Sequence, residues 1–327
     1  MQYPTISEYV KANQDVSDNL DMSTNVTEEE LNEAIIDEFG VKYSKDGRKL
    51  LKVPYELNGT NSIKEGVRII CDEAFLDLSL RSLVIPDSVT SIGERAFMCC
   101  KSLESLVIPD SVTSIGDSAF MGCGALRSLV IPDSVTSIGN SAFSGCESLN
   151  SVIIPDGVTS IGGGAFRGCY SLTNIVIPNS ITSIGTRAFE GCEFLTNIAI
   201  PDGVTSVGEY AFWGCNSLTN IAIPDGINSI EKRTFLDCKS LSSVVILEGV
   251  TSIGDDALRG CTSLTDIVIP DGVTSIGNRA FRGCTSLSSL VIPDSVTSIG
   301  ESAFGGCNFP NDIEQELISR FGEKIFG

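Results

Sequence analysis

Along most of this chain the apolar residues fall in a fixed order and then begin again. In SLESLVIPDSVTSIGDSAFMGC (Ser102–Cys123), Leu103, Leu106 and Ile108 follow an L-x-x-L-x-L spacing. Val112 and Ile115 come next, and Ala119, Phe120 and Cys123 close the unit. Residues two apart in an extended strand point the same way, so Leu106 and Ile108 are expected inward and Val107 outward. Pro109 has no N–H to give a ladder and ends the strand. Asp110 and Ser111 are turn formers. Val112 and Ile115 return to the core. Gly116 is expected at a positive φ or at a tight backbone approach. Ala119 and Phe120 fill the wide side, as a short 3₁₀ or helical turn.

The unit repeats every 23 residues. Ten cysteines keep that step from Cys100 to Cys307, and nine prolines keep it from Pro86 to Pro293, with Leu247 standing in once. Phe75, Phe97, Phe120, Phe143, Phe166, Phe189, Phe212, Phe235, Phe281 and Phe304 form a third series, completed by Leu258. A chain this periodic is a stack of near-identical coils. A single coil cannot bury both of its flat sides. Stacking removes them from water, and each Phe buried that way is worth about 1.5–3 kcal/mol. The Phe series implies about eleven coils along an axis of roughly 50 Å, at ~4.8 Å per step. Around Glu231–Leu258 several rules break at once: Glu231 replaces Gly, Thr234 replaces Ala, Asp237 replaces Gly and Leu247 replaces Pro.

The recurring S-L-x-x-I-x-I-P-x-x-V-T-S-I-G-x-x-A-F-x-G-C, as in Ser171–Cys192, resembles the BspA-like leucine-rich repeats, also called the Treponema pallidum type. The resemblance covers about Ile63 to Cys307, and YSKDGRKLLKVP at Tyr43–Pro54 resembles the hairpin that precedes such arrays. It implies an α/β-type repeat solenoid, a leucine-rich repeat superhelix of 23-residue coils with parallel strands and small helical caps. Many members are bacterial or protist surface proteins implicated in adhesion to matrix proteins or in coaggregation. The resemblance brings no catalytic residues.

An open solenoid end exposes core and needs a cap. At the C-terminus, Asn311 or Asp312 is expected to N-cap a helix carrying Ile313, Leu317, Phe321 and Ile325 at helical spacing. At the N-terminus, Thr27 with Glu30 forms a capping box ahead of Leu31, Ile35 and Phe39 on one helical face. The chain thus divides into a loosely ordered segment 1–26 with a short helix around Ile6–Lys11, a helix and hairpin cap 27–62, the solenoid 63–307 and a capping helix 308–327.

Charge and cysteine content narrow the chemistry. The net charge is −20, and an acidic surface repels phosphate backbones, so nucleic acid is not an expected partner. No stretch approaches the ~20 apolar residues of a membrane span, so no membrane insertion is expected. MQYPTISEYVKANQ lacks a basic start followed by an apolar run, which reads as a cytoplasmic protein; if the chain is trimmed from a longer one, cell surface or secretion is expected instead. The cysteine column beside the Phe ladder reads as buried, reduced thiols, with Cys71 and Cys99 outside it. With no histidine, no phosphate loop and no Cys-x-x-Cys, neither an enzyme nor a cofactor is expected. The acids that follow the prolines, such as Asp87, Asp110 and Asp133, read as turn residues, since one carboxylate per coil is too few for calcium.

What every coil keeps is packing, so a specific surface lies where coils differ. Tyr170, Phe194, Tyr210 and Trp213 are the aromatics of the array that leave the Phe ladder, and they fall on consecutive coils. With Arg167, Arg187 and Glu190 they form a candidate protein-contact patch. A second candidate surface is the outward strand series Val84, Val107, Val130, Ile153, Val176, Ala199, Ala222, Val245, Val268 and Val291. Two functions remain open at this point. One is a non-enzymatic scaffold that binds protein, with glycan second, in adhesion or partner recognition. The other is a cytoplasmic structural or assembly protein with no exchangeable ligand.

Overall fold

A computed structural model describes residues 23–55 and 62–327. The expected helix around Ile6–Lys11, and most of the 1–26 segment, lie outside the described residues. Thr27 does form the capping box: its hydroxyl accepts the Glu30 N–H at 3.1 Å, and the Glu30 carboxylate accepts the Thr27 N–H at 2.9 Å. The helix it starts, α1 (Glu28–Asn32), is shorter than expected and does not carry Ile35 or Phe39. Instead Ile35–Ile36 (β1) pairs antiparallel with Lys42–Tyr43 (β2). The turn between them is closed by Asp37, whose Oδ1 accepts the N–H of Phe39 and of Val41, and by Gly40 at φ 82°. A left-handed glycine and a side chain that bonds nearby backbone outcompete helix continuation.

β2 then pairs antiparallel with Lys49–Lys52 (β3), and β3 pairs parallel with Ile69–Ile70 (β4), which carries the hairpin into the stack. About eleven coils follow. A typical coil contributes a three-residue strand such as Ser105–Val107 and a two-residue strand such as Ser114–Ile115. Both pair in parallel with the residues one period on, Ser105 with Ser128 and Ser114 with Ser137. Leu106 and Ile108 are buried and Val107 is exposed, as the alternation requires. Leu247 shows what its missing proline would have prevented. Its N–H donates to the Ile223 carbonyl at 3.2 Å, and Asn220–Ile223 and Ser243–Ile246 pair over four residues instead of three.

Inside the stack, successive Phe rings lie parallel with centroids 4.8 to 5.6 Å apart. The column cysteines are free, and each thiol donates to a Phe-position carbonyl of the preceding coil, as from Cys123 to Phe97 at 3.2 Å and from Cys146 to Phe120 at 3.3 Å. Burial pushes these thiols up, to about 12 for Cys100 and Cys169 and well above the ordinary thiol value for Cys146 and Cys192. Cys71 is buried apart from the column, with Leu51 and Ile69.

The wide side of the coil is not helical. The Ala119 N–H bonds the Gly116 carbonyl and the Cys123 N–H bonds that of Phe120, giving two turns whose third residues, Ser118 (φ 55°) and Gly122 (φ 74°), have the positive φ of a type II turn. The alternate N–H groups, of Ser118, Phe120 and Gly122, donate to the next coil at Asn140, Ala142 and Ser144, at 2.7 to 2.8 Å. With those donors spent between coils, no i to i−4 ladder can form. Gly116 is there for close approach: a Cβ at that position would lie 2.6 Å from the Gly93 carbonyl carbon.

The C-terminal helix α2 (Asn311–Phe321) is N-capped by Pro310 and not by Asn311 or Asp312. Pro310 is extended, and its carbonyl accepts the Glu314 N–H at 3.0 Å, so the helix starts one residue early. Leu317 is buried, and the 3₁₀ turn Glu323–Ile325 buries Ile325. The carbonyls of Lys324 and Ile325 accept the N–H groups of Ser302 and Phe304, taking the place of a further coil.

Candidate functional site

On the turn side each coil presents two outward positions: the positive-φ residue two before Phe, and the residue just after Phe. In the coils of Phe120, Phe143 and Phe166 the first position holds Ser118, Ser141 and Gly164. In the next five coils the same position holds Arg187, Tyr210, Arg233, Asp256 and Arg279, and the backbone does not change, with φ between 52° and 60°. The second position holds Arg167, Glu190, Trp213, Leu236, Arg259 and Arg282 in successive coils. With Arg95 at the first position of the Phe97 coil, seven of the twelve arginines of the chain stand in these two adjacent columns.

The side chains organise into two similar triads with an aromatic pair between them. Arg167 Nε reaches Glu190 Oε1 at 3.1 Å, and Arg187 Nη1 reaches Glu190 Oε2 at 3.3 Å. Three coils along, Arg233 Nε reaches Asp256 Oδ2 at 3.1 Å, and Arg259 Nη1 reaches Asp256 Oδ1 at 3.3 Å. In both triads the acid lies beneath the cations: the Glu190 and Asp256 side chains are 13% and 5% exposed, whereas their arginines range from 33% to 52%. Between the triads, Tyr210 packs against Trp213 with ring centroids 5.7 Å apart. The guanidinium groups of Arg187 and Arg233 lie 4.7 and 5.5 Å from the Tyr210 ring centre, within cation–π range. Arg233 Nη1 also donates to the Tyr210 hydroxyl at 2.7 Å, and this bond and Asp256 raise the Arg233 pKa above its ordinary value.

Of the residues singled out in the sequence, Arg167, Arg187, Glu190, Tyr210 and Trp213 are therefore joined in one network. Tyr170 borders it, with its ring in contact range of the glycine column at Gly191, where an added Cβ would meet the ring at 3.7 Å. Phe194 is 57% exposed and is tied to Tyr170 through its backbone N–H at 3.3 Å. Arg233, Asp256, Arg259, Arg279 and Arg282 belong to the same columns, and being non-aromatic they do not stand out as residues off the Phe ladder. Stepping 23 residues from Arg187, through Tyr210, would have found three of them.

The outward strand series is exposed as expected, with Val107 at 74%. Asp110 points to solvent in a turn closed by the Val112 N–H on the Pro109 carbonyl at 3.0 Å. Among the described residues no group of three or more His, Cys, Asp or Glu could hold a metal ion, and no helix is long and apolar enough to cross a membrane.

Comparison with known proteins places this geometry. The BspA type leucine rich repeat region matches the chain at residues 68–196, 159–284 and 251–327. A crystal structure of a leucine-rich repeat protein from Bacteroides ovatus is 31% identical, covering 90% of this chain and 89% of that one, with a TM-score of 0.56. A leucine rich cell surface protein from Faecalibacterium prausnitzii is 30% identical, covering 89% and 98%, with a TM-score of 0.53. The pneumococcal vaccine antigen PcpA, at 17% identity with 90% and 96% covered and a TM-score of 0.54, shares the fold. No functionally curated protein is significantly similar. With matched repeats running from Arg68 to the last residue, over coils whose Phe and Cys columns stack as those repeats require, the chain belongs to the BspA-type leucine-rich repeat family.

Proposed function

We propose that this chain is a non-enzymatic recognition scaffold, displayed at the cell surface, that engages a protein partner through its turn side in adhesion or partner recognition. The observation that carries this reading is the contrast within one backbone: the left-handed position holds Ser118, Ser141 and Gly164 in three coils and Arg187, Tyr210, Arg233, Asp256 and Arg279 in the next five, most of them networked with Arg167, Glu190, Trp213 and Arg259 beside them. Tyr, Trp and Arg are the residue types that dominate protein-binding hot spots. The name of the Faecalibacterium relative supports the surface location. The buried column thiols, kept protonated, offer no nucleophile. The test is a crosslinking pull-down from the source organism and its surroundings with the native chain and with Tyr210→Ala/Trp213→Ala. Loss of a specific protein partner in the variant is expected, and an unchanged partner set would refute the patch.

A second reading, a structural assembly protein, is favoured by the exposed apolar strand series. It predicts concentration-dependent association by sedimentation that Val107→Lys/Val130→Lys abolishes.

A further inference from the structure

Resting on the scaffold reading, we infer that the turn-side strip is a docking track for an extended acidic segment of a protein partner. Stability does not explain the strip. An ion pair with one exposed member contributes about 0–1 kcal/mol. A non-glycine residue held in the left-handed region costs roughly 1–2 kcal/mol, and Arg187, Tyr210, Arg233 and Arg279 bear that cost, at φ 60°, 59°, 57° and 55°, just as Ser118 and Ser141 do outside the strip, so the larger side chains gain the fold nothing there. Charge points to the ligand. On a chain of net charge −20 the two columns concentrate arginine, and their acids, Glu190 and Asp256, are covered by the cations they hold. Each triad therefore shows solvent one surplus positive charge. Beyond them Arg279 and Arg282 are exposed. Exposed acids one residue before the first column, such as Glu209 and Glu301, flank the strip and keep it narrow.

The cations of the two columns are all arginines, with no lysine at either position, and arginine forms fork-like pairs with carboxylates that lysine cannot. From the Arg167 coil to the Arg282 coil is five steps, roughly 24 Å at ~4.8 Å each, which an extended peptide spans in about seven residues. Tyr210 and Trp213 in the middle supply the apolar contact.

The test uses the full chain and a fluorescein-labelled octapeptide alternating glutamate with threonine, read by anisotropy. Comparators are the peptide with lysine for glutamate and a labelled heparin octasaccharide. The glutamate peptide should bind, the lysine peptide should not, and added salt should weaken binding. Arg279→Ala/Arg282→Ala, with an unchanged melting temperature, should bind about tenfold more weakly. Arg279→Lys/Arg282→Lys should fall between the two, since it keeps charge and loses the fork. The inference is overturned if the glutamate peptide fails to bind, if the alanine variant binds it undiminished, or if heparin alone binds. A protein partner captured through Tyr210 and Trp213, independent of Arg279 and Arg282, would keep the scaffold reading and refute this one.

Discussion

The coils of Ser118, Ser141 and Gly164 and those running from Arg187 to Arg279 are built on one backbone and one interior. Their left-handed positions have the same φ, their Phe rings stack at 5.1 to 5.6 Å, and their thiols bond the same carbonyl of the coil before. Inside, the second group departs at Leu258 for Phe, Thr234 for Ala and Leu247 for Pro, and the larger difference lies where the side chain leaves the stack. The contrast separates two jobs. Interior columns hold the geometry and vary little, whereas most turn positions are partly or fully exposed and are free to acquire chemistry.

The largest effect should come from titrating what the two regions share. Ten column thiols are held above the ordinary thiol value of 9.0 by burial. Above pH 9 the unfolded chain gives up protons that the folded chain keeps, so stability falls as pH rises toward the folded values, about 12 for Cys100, Cys169 and Cys307. Each thiol contributes up to about 1.4 kcal/mol per pH unit. Urea midpoints should be flat just below pH 9 and collapse above it, in both regions together.

Next in size, Phe143→Ala beneath the small-residue coils and Phe212→Ala beneath the strip should each cost about 3–5 kcal/mol in urea unfolding. Unequal costs would mean that the strip itself supports the core. The smallest effect sharpens the contrast. Ser118→Gly and Arg279→Gly should both stabilise the fold, by up to ~1 kcal/mol, as left-handed strain is relieved. Only Arg279→Gly should weaken binding of the acidic peptide.

What the sequence disclosed follows the same division. The 23-residue interval made the Phe and Cys columns legible, and strand alternation placed Leu106 inside and Val107 outside, because burial leaves a period. Thr27 with Glu30 was legible for a similar reason, since a capping box has fixed spacing. The turn side was not. Positive φ at Ser118, Arg187 or Tyr210 carries no glycine to announce it, so the sequence is equally compatible with a helical turn, which the intercoil N–H bonds exclude. Leu31, Ile35 and Phe39 keep helical spacing, yet Asp37 and Gly40 turn the chain into a hairpin. Half of the strip escaped notice because Arg233, Arg259, Arg279 and Arg282 are ordinary surface residues one at a time. They become a track only when the coils are stacked.

Phe212 and Trp213 are neighbours in sequence, one in the shared interior and one on the strip, and comparing them tests the division of labour most directly. Unfolding free energy and acidic-peptide affinity should be measured on Phe212→Leu and Trp213→Ala. The account predicts that Phe212→Leu lowers stability and keeps affinity, while Trp213→Ala lowers affinity and keeps stability. Both quantities falling together in either variant would contradict it.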